Sequence, residues 1–134
     1  MEFWKNKEEK QLNPDLFSSN AEILAKKIYD EGSNKINKPS QIRKFYNEVL
    51  RFDNMLKENP NPDEFYNILP YLKMLNAKVA YALGRNLVSN GFKDFISDSL
   101  KQIKDKEDFD AFAGLFEAFM GYYKYFRPSE GGGR

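Results

Sequence analysis

A chain of 134 residues with 41% hydrophobic and 16% aromatic residues is one domain's worth, and it can bury a core without staples. It has no cysteine and no histidine, which excludes disulfides, Cys/His zinc sites, Ser-His and Cys-His nucleophiles and an imidazole base, leaving carboxylates, Lys and Tyr for any proton chemistry. The formal net charge of +1 is not the electrostatic footprint of a free-standing nucleic-acid binder, so an anion-binding role has to come from a local patch.

Residues 1–17 show no clear hydrophobic period and include Pro14, which predicts a mostly extended arm. The opening MEFWKNKEEKQ is too charged for a signal peptide, and no apolar run approaches the roughly 20 residues of a membrane span. The expected location is cytoplasmic, with no membrane partner. Ile23, Leu24 and Ile28 with an Ala pair predict a short helix, capped by Ser18, Ser19 or Asn20 and stopped near Gly32.

A second helix begins near Pro39 or Ser40: Pro39 suits a first-turn position, or Ser40 is the cap instead. Ile42, Phe45, Val49, Phe52 and Leu56 recur at spacings of three and four, and Asn59-Pro60-Asn61-Pro62 ends the run. Asp63 is expected to cap a short helical turn with Phe65, Ile68 and Leu69. Pro70 then breaks it, kinks it or starts the next helix, which runs over residues 71–87. Asn90-Gly91 reads as a stop signal. Phe92, Phe95, Ile96, Leu100 and Ile103 form another amphipathic helix, and residues 104–107 a charged connector.

The last helix covers about residues 108–126 and stops at Pro128. Phe109, Phe112, Phe116, Phe119 and Tyr123 form one stripe, with Leu115, Ala118, Tyr122 and Tyr125 on the far side. A helix apolar nearly all round is either central in the fold or shared with a partner. No strand alternation is visible. The expected fold is all-α: a compact bundle of about five to six helices over residues 18–127, between the arm and a flexible tail over 128–134.

Two groups of cations stand out. Between residues 33 and 51, Lys35, Lys38, Arg43, Lys44 and Arg51 face the single acid Glu48. Helical spacing puts Lys44 and Arg51 together on the back of the second helix, with Arg43 on the flank; the ordinary reading is a solvated face. Lys78 and Arg85 lie two turns apart among Tyr71, Met74 and Tyr81. Cations set among aromatics suit a phosphate backbone with bases or sugars against the rings. The same pattern fits a helix buried on two sides whose cations snorkel or pair with acids. Asp110 and Glu117 also align, and read as salt-bridge acids for Arg85 or Lys124 rather than as an acid/base pair. The acidic DKEDFD lacks the glycine and the spacing of a calcium loop. No metal or cofactor is expected.

Three segments in order, KPSQIRKFYNEV, LPYLKMLNAKVAYALGR and FDAFAGLFEAFMGYYKYF, resemble the small subunit of type III-A CRISPR effector complexes, the Csm type. The resemblance covers about residues 20–126 and departs at Pro39, where the family often has Thr, and at Gly121, where Ala is usual. It implies an all-helical bundle without enzymatic activity. Such subunits line up head to tail, or as dimers, beside the backbone subunits that carry the guide, and help hold target RNA in its duplex with guide RNA. Cleavage belongs to other subunits. The implied partners are that duplex, the backbone and large subunits of the same complex, and copies of the chain itself.

Carried onto this sequence, the RNA-binding cations in the matched motifs are Lys38, Arg43, Lys44, Lys73, Lys78, Arg85 and Lys124; Arg51 joins them by geometry only. Arg85 bonded to Glu117 is the structural alternative for that residue. A near-neutral chain is consistent with the resemblance, because a row of subunits binds by repetition. The rival expectation is a helical protein–protein adaptor that docks through Tyr122 and Tyr125 and makes no direct RNA contact.

Overall fold

The computed structural model describes residues 1–130. Among them a short hairpin, β1 (Trp4–Asn6) with β2 (Gln11–Leu12), precedes six helices. These are α1 (Ser19–Asp30), α2 (Pro39–Glu58), α3 (Asp63–Lys73), α4 (Leu75–Gly84), α5 (Asn90–Gln102) and α6 (Lys106–Phe126). The class is all-α, as the periodicity implies. Residues 131–134 of the expected flexible tail lie outside the described residues.

The aromatic stripe of α6 makes the core. Phe109, Phe112, Phe116 and Phe119 are completely buried. The Phe116 ring meets those of Tyr46 on α2, Phe92 and Phe95 on α5, and Phe112 and Phe119 on its own helix. Ile42, Phe45 and Val49 close the α2 side. On another side, α1 packs along α6 and buries Ala21, Ala25 and Ile28, the two alanines letting the backbones come close. Of the two alternatives for an all-round apolar helix, α6 is therefore the central one.

The N-terminal segment is not a free extended arm. Trp4 pairs with Leu12 and Asn6 with Gln11, antiparallel, around a turn that holds Lys10 at a φ of 58°. Phe3 and Leu16 are buried in the core. The hairpin is tied to the start of α6 through Asp108. Its carboxylate accepts from Trp4 Nε1 at 2.8 Å, Lys7 Nζ at 3.0 Å and the Lys104 N–H at 2.9 Å. Burial pushes the Asp108 carboxyl up, but these hydrogen bonds, led by Lys7, outweigh it and hold the group below its ordinary value. Strands of three and two residues are too short to show alternation in a sequence.

Two helix boundaries also differ from expectation. Pro70 lies inside α3, because its fixed φ near −65° is itself helical, and the chain turns at Met74 instead. Both the Ala77 and Lys78 N–H groups bond the Met74 carbonyl there. Asn90-Gly91 starts α5 rather than stopping a helix. Ser89 caps it, accepting from the Phe92 N–H, and the Glu31 carboxylate accepts from the Gly91 N–H at 2.9 Å. A Cβ on residue 91 would run into that carboxylate, so the glycine marks a close approach. The stop comes earlier: Asn86, at a φ of 60°, closes α4 with bonds from Leu87 N–H to Ala82 O and from Asn86 N–H to Leu83 O.

Candidate nucleic-acid interface

The start of α2 is fixed by Asn37. Its left-handed backbone, φ 61°, is tolerated by Asn, and the residue is fully buried. Its N–H donates to Leu87 O, and its side-chain amide bonds Ile28 O and both the Oγ and the N–H of Ser89. Its carbonyl accepts from the Tyr123 hydroxyl and from Arg127. Arg127, also fully buried, spreads its guanidinium over the carbonyls of Ser33, Ile36, Asn37 and Glu130. The Glu130 carboxylate then accepts from the Ser40 N–H and hydroxyl at 2.7 and 2.9 Å. Residues 128–130, expected to be part of a flexible tail, thus return to the start of α2.

With α2 so placed, a groove of about 780 Å³ runs between it and α4. Phe45, Ala77, Ala82 and Leu87 are among its apolar lining. Lys44, Arg51 and Lys78 stand along it, with Met74 and Tyr81 exposed at its side. Helical spacing brings Lys44 and Arg51 to one face, and the tertiary fold adds Lys78 from 27 positions beyond Arg51. Glu48 sits between them: Lys78 Nζ is 2.7 Å from Glu48 Oε1, and Arg51 Nε is 3.1 Å from Oε2. Hydrogen bonds from Arg51 and then Lys78 hold the Glu48 carboxyl below its ordinary value, against a smaller opposing effect of burial.

Arg85 caps the end of α4 and reaches the groove through Tyr81. Its Nη1 donates to the Tyr81 hydroxyl at 3.0 Å, and the guanidinium lies 5.6 Å from the ring centroid. It does not bond Glu117. Asp110 pairs with Lys106 instead, and Lys124 donates to the carbonyl of Pro128. The expected pairing of Asp110 and Glu117 with Arg85 or Lys124 is therefore replaced by a local i,i+4 bridge and a helix-end bond.

The remaining expected cations are scattered. Arg43 lies on the other flank of α2, 6.0 Å from the Tyr46 ring centroid. Lys38 is the N-cap residue of α2, and Lys73 ends α3; both lie outside the groove lining. Lys38, Lys44 and Lys73 are exposed, with no side-chain hydrogen bond or ion pair among the described residues. Sequence reasoning missed Asn37, Arg127 and the bridging role of Glu48. The first two carry faint signals: Asn before Lys-Pro suits a left-handed turn, and an Arg just past an aromatic helix suits a buried cap.

A second surface depression lies on the outer side of α6, lined by Phe17, Glu22, Ala118, Gly121, Tyr122 and Tyr125. Tyr125 is 77% exposed and Tyr122 half-buried. Among the described residues no group of three or more His, Cys, Asp or Glu is placed to hold a metal ion. No helix among them is long and apolar enough to cross a membrane.

Fold and site define a class: a small all-α protein with cations along an open groove between two helices. The family model Csm2 Type III-A matches residues 11–129, and the chain belongs to that family, the small subunit of type III-A CRISPR complexes. No curated protein and no solved structure matches it.

Proposed function

We propose that this chain is a non-catalytic, cytoplasmic subunit that holds the backbone of the target RNA–guide RNA duplex without reading its sequence, beside the backbone and large subunits of its effector complex. The observation that carries this is the groove between α2 and α4, where Lys44, Arg51 and Lys78 converge from two helices and Arg85 joins through Tyr81. Cations that meet phosphates position a nucleic acid but carry no sequence information. Lys38, Arg43, Lys73 and Lys124 lie outside the groove lining and serve in this reading as outlying contacts to a ligand longer than one groove.

The test is a salt-series titration of wild type and Lys78→Glu against two unrelated RNAs, each single-stranded and as a duplex. Wild type should bind both sequences equally, and the log–log slope should fall by about 0.7 for each single-strand phosphate that the variant no longer neutralises. Equal binding by both proteins, with circular dichroism showing both folded, would remove Lys78 from the interface.

A second reading is favoured by the exposed Tyr125 beside the Phe17–Tyr122 depression. Such a face suits a protein partner or a second copy of the chain. Sedimentation of wild type and Tyr125→Glu at high concentration tests it. Self-association that the variant loses supports docking through this face.

A further inference from the structure

Of the three cations in the groove, only Lys44 lacks a side-chain partner among the described residues. Arg51 and Lys78 share one, and they reach it from different helices. The Glu48 carboxylate offers Oε2 to the guanidinium and Oε1 to the ammonium, at 3.1 and 2.7 Å. This is the arrangement in which the two free oxygens of a phosphodiester would bridge the same groups. The carboxylate therefore occupies the position that a phosphate needs.

Arg51 has contacts besides Glu48, and the helix sets the backbone of Lys78. The Arg51 guanidinium lies 4.6 Å from the Phe52 ring centroid, and its Nη1 meets Met55 Sδ at 3.6 Å. Lys78 projects from regular helix on α4, whose neighbouring Val79 is anchored in the core. The side chains of Arg51 and Lys78 are 55% and 48% exposed, so a ligand can reach both from solvent without moving the core. Exposed ion pairs of this kind are weak, and a phosphate can exchange with them.

We propose that Glu48 is an internal competitor for the RNA backbone. In the free chain it pairs with both Lys78 and Arg51, and a phosphate entering the groove takes them by displacing the carboxylate. This rests on the groove being the site for RNA backbone. Its consequence is a deliberately weak single subunit. One copy binds poorly because two of its three groove cations are already engaged, and binding becomes effective only where several copies meet one strand.

The experiment is a fluorescence-anisotropy titration of the full chain with an end-labelled single-stranded RNA over a salt series. It compares wild type, Glu48→Gln, Glu48→Ala, Lys78→Gln and the Glu48→Gln/Lys78→Gln double variant, with thermal unfolding as the folding control. Both Glu48 variants should bind about threefold to tenfold tighter at low salt, the range set by two exposed ion pairs no longer competing. Their salt slope should steepen by about 0.7 for each phosphate newly held. The gain should shrink when Lys78 is also removed, because the two substitutions then share one partner. Binding by the Glu48 variants where wild type shows none would also support the proposal. If wild type binds and Lys78→Gln weakens it, but the Glu48 variants bind equally or less tightly, the competitor is overturned while the groove stands. If neither wild type nor the Glu48 variants bind, the groove and the competitor fall together.

Discussion

The buried guanidinium of Arg127 donates to the carbonyl of Asn37 at 3.0 Å, joining the residue that caps α6 to the residue just before the cap of α2. Ninety positions of chain separate them. This bond, with those to Ser33, Ile36 and Glu130, decides where α2 starts and so where Lys44 and Arg51 point.

Arg127→Ala should therefore cost stability well beyond a surface change. Hydrogen bonds to a charged group contribute about 1.5–3 kcal/mol each, and one buried and three partly buried bonds to carbonyls are lost at once, so the expected loss is about 3 kcal/mol or more. Lys should rescue poorly, since one ammonium cannot span carbonyls that the planar fork reaches together. Urea unfolding of wild type, Arg127→Ala and Arg127→Lys measures this. A loss under about 1 kcal/mol would show that the loop holds itself.

Phe116 tests the core. Its ring packs against those of Tyr46, Phe92, Phe95, Phe112 and Phe119, rigid side chains that refill a space poorly. Phe116→Ala should cost about 3–5 kcal/mol in chemical denaturation. Phe116→Leu should cost less, because it keeps most of the volume.

The stripe that places Phe116 was legible because helical period survives in any long amphipathic segment. The core faces of α2, α5 and α6 follow from their apolar spacing alone. The hairpin was not legible, because it depends on Asp108 gathering Trp4 and Lys7 from about a hundred positions away. Gly91 misled for a related reason: its role is to admit Glu31 from a distant helix, and a local reading of Asn-Gly sees only a turn. Within the groove, Lys44 and Arg51 were legible as neighbours on one helix, and Lys78 with Arg85 on another. That Lys78 meets Lys44 and Arg51 along one groove, and that Glu48 bridges it, are tertiary facts that no spacing encodes.

Asp108 gives a pH dependence with a definite sign. Its folded carboxyl titrates below its ordinary value, so the folded state binds the proton less readily than the unfolded chain. The resulting stability is fully present above the unfolded value, about 3.9 for Asp. It is lost as pH falls through the folded value. Thermal unfolding of Asp108→Asn should show a deficit at neutral pH that narrows as the solution is acidified below about pH 4. The single tryptophan, Trp4, bonds this carboxylate directly, so its fluorescence should report release of the hairpin on the same acid limb. A deficit that is constant over about pH 3–7 would mean that the charge of Asp108 contributes nothing beyond its shape.

Tyr81 separates two ways in which the groove could hold RNA. Its ring is 65% exposed beside the groove, and its hydroxyl holds Arg85. A single strand can lay a base on that ring, an interaction worth about 1–3 kcal/mol by alanine substitution. A duplex keeps its bases stacked on each other and offers the groove only phosphates and sugars. Tyr81→Ala should therefore weaken single-stranded RNA by about tenfold or more. Binding of a duplex should fall less, and only through the freed Arg85. Tyr81→Phe keeps the ring and loses the hydroxyl, so on both ligands it should show only the smaller effect of the freed Arg85. Parallel titrations of the three proteins with one RNA, alone and annealed to its complement, make the comparison. Equal losses on both ligands would show that Tyr81 acts by placing Arg85 rather than by stacking.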